Sequence, residues 1–168
     1  MFYLLLLLLI VQRLLEMRLG KRHLAVLKSK LLVPLDQREA RGMLVLHAGW
    51  FVALIVEHFL HGQLTQGLWW YGGLFLLVLC QGVRLWTMRA LGVYWVPWPV
   101  SFRGQKLVKR GPYRYLKHPN YLIVIVEFLV VPVLGGCRVV LIVGSILNGL
   151  FLLKRIEREE RALKLLEK

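Results

Sequence analysis

Long apolar runs separated by basic stretches dominate this sequence. The first run covers about Met1 to Leu19, uncharged until Arg13, Glu16 and Arg18 enter near its end. A second, about Met43 to Leu60, is joined through the uncharged connection His61 to Gly67 to a third, about Leu68 to Met88. Two shorter runs, Tyr121 to Leu134 and Val139 to Leu153, meet at Gly135-Gly136. A straight helix needs about 20 apolar residues to cross a bilayer, so the first three runs predict membrane-spanning helices. The last two fall short of that length. They either extend at their cytosolic ends or form a hairpin lying deep in the bilayer, and a spanning hairpin is the reading adopted. Trp69, Trp70 and Tyr71 at one end of the third run, with Trp86 near the other, sit where interfacial aromatics belong.

Between the third and fourth runs the apolar pattern stops. From Arg89 to Lys117 the chain carries Arg103, Lys106, Lys109, Arg110 and Arg114 with no acidic residue, and Pro97, Pro99 and Pro112 rule out one continuous helix. The tail, Lys154 to Lys168, reads as a charged amphipathic helix with Ile156, Leu163 and Leu166 on one side. With five crossings, three segments share one side: Gly20 to Gly42, Arg89 to Lys117, and the tail. These hold nearly all the Lys and Arg outside the spans. The positive-inside rule then puts the N-terminus outside and the connector and tail in the cytosol. The fold class expected is all-α, a single polytopic membrane domain over 1–168. Three N-terminal spans occupy 1–88; a connector, a helical hairpin and the C-terminal helix occupy 89–168. The cytoplasmic membrane of a bacterium is the expected location.

Composition agrees with a lipid solvent. At 168 residues and 58% hydrophobic, a soluble fold of this size could not bury its apolar surface. The formal charge of +14 would elsewhere raise nucleic acid as a partner. Here the basic residues lie between apolar runs rather than on one soluble face. Membrane lipid headgroups are the expected counter-charge, and no nucleic-acid partner is expected. Cys80 and Cys137 lie in or beside apolar runs, without a CxxC or Cys/His cluster, so neither a disulfide framework nor a metal site is supported. Met1-Phe2-Tyr3 lacks a basic start and no small-residue cleavage site follows it, so the first run reads as an uncleaved anchor.

Two features stand apart from a passive bundle. The first is Gly111-Pro112-Tyr113-Arg114-Tyr115-Leu116-Lys117-His118-Pro119-Asn120-Tyr121 at the cytosolic mouth of the fourth run. Pro119 suits the first position of a helix, and His118 and Asn120 then flank a helix N-terminus able to receive an anionic group. The tyrosines offer faces for stacking or for a cation. The same residues also suit an ordinary interfacial turn with snorkelling basic side chains. The second feature is Arg155-Ile156-Glu157-Arg158-Glu159-Glu160, where Arg155 and Glu159 share a helix face. A solvated helix with internal ion pairs would look alike. Position separates the two: the fourth and fifth runs form a hairpin, so His118 and Glu159 come to one pocket.

The segment Lys106-Leu107-Val108-Lys109-Arg110-Gly111-Pro112-Tyr113, the element His118-Pro119-Asn120-Tyr121 and the RxxxEE of Arg155, Glu159 and Glu160 together resemble the isoprenylcysteine carboxyl methyltransferase family, over about Leu91 to Leu166. The resemblance implies an S-adenosylmethionine pocket made by Gln105, Lys106, Leu107 and Val108, with Tyr113, His118, Pro119, Asn120 and Tyr121 as its lower wall. It implies that Glu159 faces the methionine amino group beside Glu160, and that Arg155 points toward the acceptor. HPNYLxVxxE, which ends at Glu127, looks more like a bacterial branch that methylates alkylpyrone or phenolic lipids. A phenol or enol acceptor benefits from a base, and the intramembrane carboxylate of Glu127 is the candidate, with Glu57 a weaker one. Either carboxyl group also suits a neutral, hydrogen-bonded acid that packs helices together. An amphipathic lipid hydroxyl is the leading acceptor and a prenylcysteine carboxylate the alternative. A non-enzymatic membrane scaffold is the alternative from another class.

Overall fold

The computed structural model describes residues 1–33, 36–64, 67–98, 100–103 and 108–164. The fold is all-α in its framework: α1 (Phe2–Val26), α2 (Gln37–His61), α3 (Leu68–Leu91), α4 (Pro119–Gly135) and α5 (Arg138–Lys164). A short antiparallel ladder joins β1 (Leu31–Val33) to β2 (Ser101–Phe102), with Leu31 opposite Phe102, Val33 opposite Ser101 and an irregularity between them. Three helical segments are long and apolar enough to cross a membrane: Gln37–His61, Leu68–Tyr94 and Arg138–Arg161. The apolar α4, at 17 residues, is shorter, about 25 Å at 1.5 Å per residue. α1 matches α2 in length but carries Arg13, Glu16 and Arg18 inside its apolar stretch.

The helices overrun the apolar runs that predict them. α1 continues to Val26, and α2 starts at Gln37, where the Asp36 carboxylate accepts from the backbone N–H groups of Arg38 (2.9 Å) and Glu39 (3.3 Å) as an N-cap. The tail is not a separate element. No glycine or proline follows Gly149, so nothing stops α5, which runs unbroken from Arg138 to Lys164. Arg155 and Glu159 therefore ride on the fifth apolar helix itself.

α4 lies at the centre, packed between α3 and α5, while α2 packs on α5. Trp50 of α2 stacks on Phe128 of α4, with ring centroids 4.3 Å apart and planes 18° apart. Phe2 and Leu6 of α1, Leu54 of α2 and Leu77 of α3 complete the buried cluster around Val131 and Leu134. Outside this core, Leu4, Leu7, Leu8, Val52, Val56, Phe75, Val78, Ile142 and Ile146 are exposed. So extended an apolar exterior belongs in lipid, where helices satisfy their own backbone groups.

The α4–α5 turn is closed by a left-handed Gly136 at φ +69, where a Cβ would stand 2.3 Å from the carbonyl oxygen of Gln63. Glu57 caps α5 from across the bundle. Its two carboxylate oxygens accept from the N–H groups of Val139 and Val140, each at 2.8 Å, while His58 Nδ1 donates to the Gly135 carbonyl at 2.7 Å. This carboxylate sits at a positive helix end, away from the His118 pocket. Glu57→Ala is expected to lower stability by about 1–2 kcal/mol, the usual cost of a lost N-cap, read as a lower melting temperature in detergent. An unchanged melt would mean that the cap contributes nothing.

Candidate active site

At the basic end of the bundle the connector leads into α4 through a 3-10 turn, Gly111–Arg114, whose approach is held by Arg110 Nε donating to the Ala90 carbonyl at 3.2 Å. His118 is the N-cap of α4 and Pro119 its first helical residue, a place where proline's missing N–H costs nothing. The last turns of α5 arrive beside them. His118 Nδ1 lies 3.6 Å from Glu159 Oε2, and Nε2 lies 3.6 Å from Glu160 Oε1, ion-pair distances just beyond hydrogen-bond range. One turn into α4, the Tyr121 ring lies nearly parallel to the imidazole, 5.4 Å away at 19°, and its hydroxyl donates to Glu159 Oε2.

The Glu159 carboxylate holds the His118 pKa above its ordinary value, against the opposite pull of partial burial. Tyr113 borders the same carboxylate; burial first, and Glu159 second, push its phenol upward, so it stays neutral. Both His118 nitrogens and Asn120 Oδ1 are buried without a hydrogen bond. Buried polar atoms of that kind are uncommon, and three on one helix N-terminus make this the candidate site.

Arg155 sits one turn before Glu159 and is buried. Its Nη2 donates to the Pro97 carbonyl at 2.9 Å, its Nη1 meets the Met43 sulfur at 2.8 Å, and its guanidinium lies 5.1 Å from the Tyr121 ring centroid. Glu39 Oε1 stands 3.9 Å from Nε, which makes no hydrogen bond. One side chain thus ties connector, α2 and α4 together. The first loop joins in: Arg158 Nη1 bonds Asp36 (2.8 Å) and Glu39, and Gly20 of α1 lies so close to Pro97 that a Cβ would stand 2.2 Å from its Cδ. These contributions of α1 and α2 carry no motif in the sequence.

Glu127 lies elsewhere. It is 3% exposed, and Arg84 Nη2 reaches one of its oxygens at 2.8 Å, with Arg13 Nη2 on the same oxygen and Gln81 Nε2 on the other at 2.9 Å. Arg84 Nη1 spans both oxygens of Glu16 at 3.1 and 3.2 Å, and Arg13 Nη1 reaches Glu16 at 2.9 Å. Two guanidiniums and two carboxylates from α1, α3 and α4 therefore neutralise one another within the bundle. The Glu127 carboxyl group is thus part of a four-residue cluster rather than an isolated group. The structure brings His118, Asn120, Tyr121, Tyr113, Glu159, Glu160 and Arg155 to one region and leaves Glu127 outside it. Val108 is half-buried on the connector; Gln105, Lys106 and Leu107 lie outside the described residues.

Fold and site define a helical membrane protein with a polar side-chain cluster at its basic end, built from the α4 N-terminus and the last turns of α5. The chain belongs to the isoprenylcysteine carboxyl methyltransferase family, a family of methyltransferases whose model matches residues 73–165. It is also 35% identical over 164 residues to the protein printed as "Uncharacterized protein YpbQ" of Bacillus subtilis (strain 168), a match covering 98% of this chain and 97% of that one. No solved structure matches.

Proposed function

We propose that this protein is an S-adenosylmethionine-dependent O-methyltransferase acting on an amphipathic lipid, of the alkylpyrone or phenolic-lipid kind. Counting all five helices as crossings, the positive-inside rule favours a site at the cytosolic face of a bacterial cytoplasmic membrane with the N-terminus outside. The observation that carries the reading is the convergence of His118 with Glu159 and Glu160 at 3.6 Å, across two helices. The pocket fits the cofactor chemically: Glu159 and Glu160 suit an ammonium, the unsatisfied His118 and Asn120 atoms suit further polar groups, and Tyr121 offers an aromatic face. Val108 and Tyr113 border the connector side, and Gln105, Lys106 and Leu107 are assigned to the same wall by resemblance. When bound, S-adenosylmethionine supplies a methyl group already activated on a sulfonium. What remains for the protein is to hold the acceptor oxygen in line and to exclude water.

Detergent-purified protein is expected to bind S-adenosylmethionine, with binding weakened at least about tenfold in His118→Ala and Glu159→Ala, as losing a charge-assisted contact of about 1.5–3 kcal/mol implies. Calorimetric titration measures it directly. A wild-type protein that takes up no cofactor returns the chain to the scaffold reading. Transfer of labelled methyl to a farnesylcysteine, rather than to an alkylpyrone or a long-chain phenol, would move the acceptor to the prenylcysteine carboxylate.

A further inference from the structure

We propose that the turn Arg114-Tyr115-Leu116-Lys117 docks onto anionic phospholipid headgroups and fastens the start of α4 to the membrane surface. All four residues are exposed, and the two in the middle are large and apolar, Tyr115 at 72% and Leu116 at 41%. Neither belongs to an apolar run; a cation stands on each side of the pair instead. The Arg114 guanidinium carbon lies 5.9 Å from the Tyr115 ring centroid, so charge and ring project together. Such a turn suits the headgroup layer, where basic side chains meet phosphate while an aromatic and an aliphatic side chain reach the acyl boundary.

Two independent observations set the depth. α4 has 17 residues, about 25 Å of helix, against a hydrocarbon core of about 30 Å. Its exposed Leu122, Ile125, Leu129 and Val133 keep it apolar along its length. Counted as a crossing, α4 has no helix to spare, and the turn just before Pro119 falls among the headgroups rather than out in water. The second observation is Trp86 of α3, 49% exposed, an indole placed as in an interfacial belt. A Cβ on Gly111 would stand 3.2 Å from its Nε1, so the segment leading to Arg114 starts at the Trp86 level. Charge then selects the occupant. No acidic residue lies between Arg89 and Lys117, and Arg89, Lys109, Arg110, Arg114 and Lys117 are all exposed. Among the described residues none of these five enters an ion pair; Glu159 and Glu160 face His118 instead. A soluble polyanion would match the charge but would give Tyr115 and Leu116 nothing apolar to enter. An anionic bilayer does both.

The N–H groups of Tyr115 and Leu116 both donate to the Pro112 carbonyl, each at 3.0 Å, so their hydrogen exchange reports opening of this turn. The full-length protein is compared in nanodiscs of phosphatidylcholine alone and of phosphatidylcholine with an equal part of phosphatidylglycerol. Each basic side chain near an anionic surface contributes about a fivefold preference, so exchange at these two amides should slow roughly 10- to 30-fold with phosphatidylglycerol. Concentrated salt should remove the slowing, and so should Arg114→Gln with Lys117→Gln. Tyr115→Ser with Leu116→Ser keeps both charges and should lose part of it. The Val139 and Val140 amides, held by Glu57 at the far end of α4, are the reference and should exchange alike in both discs. Equal exchange of the turn in the two discs, a slowing that survives loss of both cations, or one shared equally by the Val139 amide would overturn the proposal. So would the same slowing produced in phosphatidylcholine discs by soluble glycerol phosphate, which would make the partner a free phosphate. None of these readouts depends on cofactor binding, so failure of the methyltransferase reading would leave this surface standing.

Discussion

Arg84→Met is expected to lower the melting temperature more than any other single substitution in the bundle. Arg84 is 1% exposed and holds Glu16 and Glu127 at once, so its loss leaves one carboxylate too many for Arg13 alone inside the bundle. Breaking a buried pair by deleting one partner costs about 3–5 kcal/mol, a large part of the roughly 5–15 kcal/mol that holds a domain together. The penalty lies in the orphaned charge rather than in lost packing. Adding Glu127→Gln should therefore recover much of the melting temperature, because Arg13 and Glu16 then balance again. Arg84→Lys, which keeps the charge but cannot fork between two carboxylates, should fall between. Thermal melts in detergent rank the three variants. Equal melting of Arg84→Met and wild type would mean that water reaches the cluster.

That cluster also marks where the sequence was legible and where it was not. A carboxylate at Glu127, in mid-membrane, announces that something must neutralise it. Its partner Arg84 lies inside the third apolar run, but nothing local in either run pairs the two or sets the rotation that turns both side chains inward. Arg13 and Glu16 look like the interfacial end of a span when read alone; only the packing of α1 against α3 and α4 makes them its interior. Tertiary pairing therefore decides between a base, a packing acid and an ion-paired clamp.

The approach of His118 to Glu159 was legible for a different reason. Turn chemistry at Gly111-Pro112 and at His118-Pro119 fixes where α4 starts, and Gly135-Gly136 fixes where it turns, so the hairpin brings His118 toward Glu159 by connectivity alone. Helix ends were less legible. The charged tail looks like an independent amphipathic helix because its composition changes at Lys154, yet the backbone has no reason to stop there. The contributions of α2 were illegible: Glu39 and Met43 follow a helical spacing of four, but the chain offers no sign that this stripe faces Arg155 rather than lipid.

Arg155→Lys separates two roles for one side chain. By resemblance, Arg155 points to the acceptor; in the fold it also clips the connector through the Pro97 carbonyl while lying on Tyr121 and Met43. Lysine keeps the positive charge but loses the planar fork that reaches several partners at once. A hydrogen bond to a charged group contributes about 1.5–3 kcal/mol, so the connector should open roughly 10- to 100-fold more often. Two measurements follow. Protease cleavage between residues 95 and 110 should accelerate by about that factor, where cutting tracks the open population. Affinity for S-adenosylmethionine should weaken in step if, as proposed, the connector forms one wall of its site. Methyl transfer should fall further than affinity if the guanidinium also compensates charge on the acceptor oxygen. Wild-type protection and affinity with transfer lost would confine Arg155 to the acceptor, whereas transfer falling only in proportion to affinity would make it a clip and nothing more.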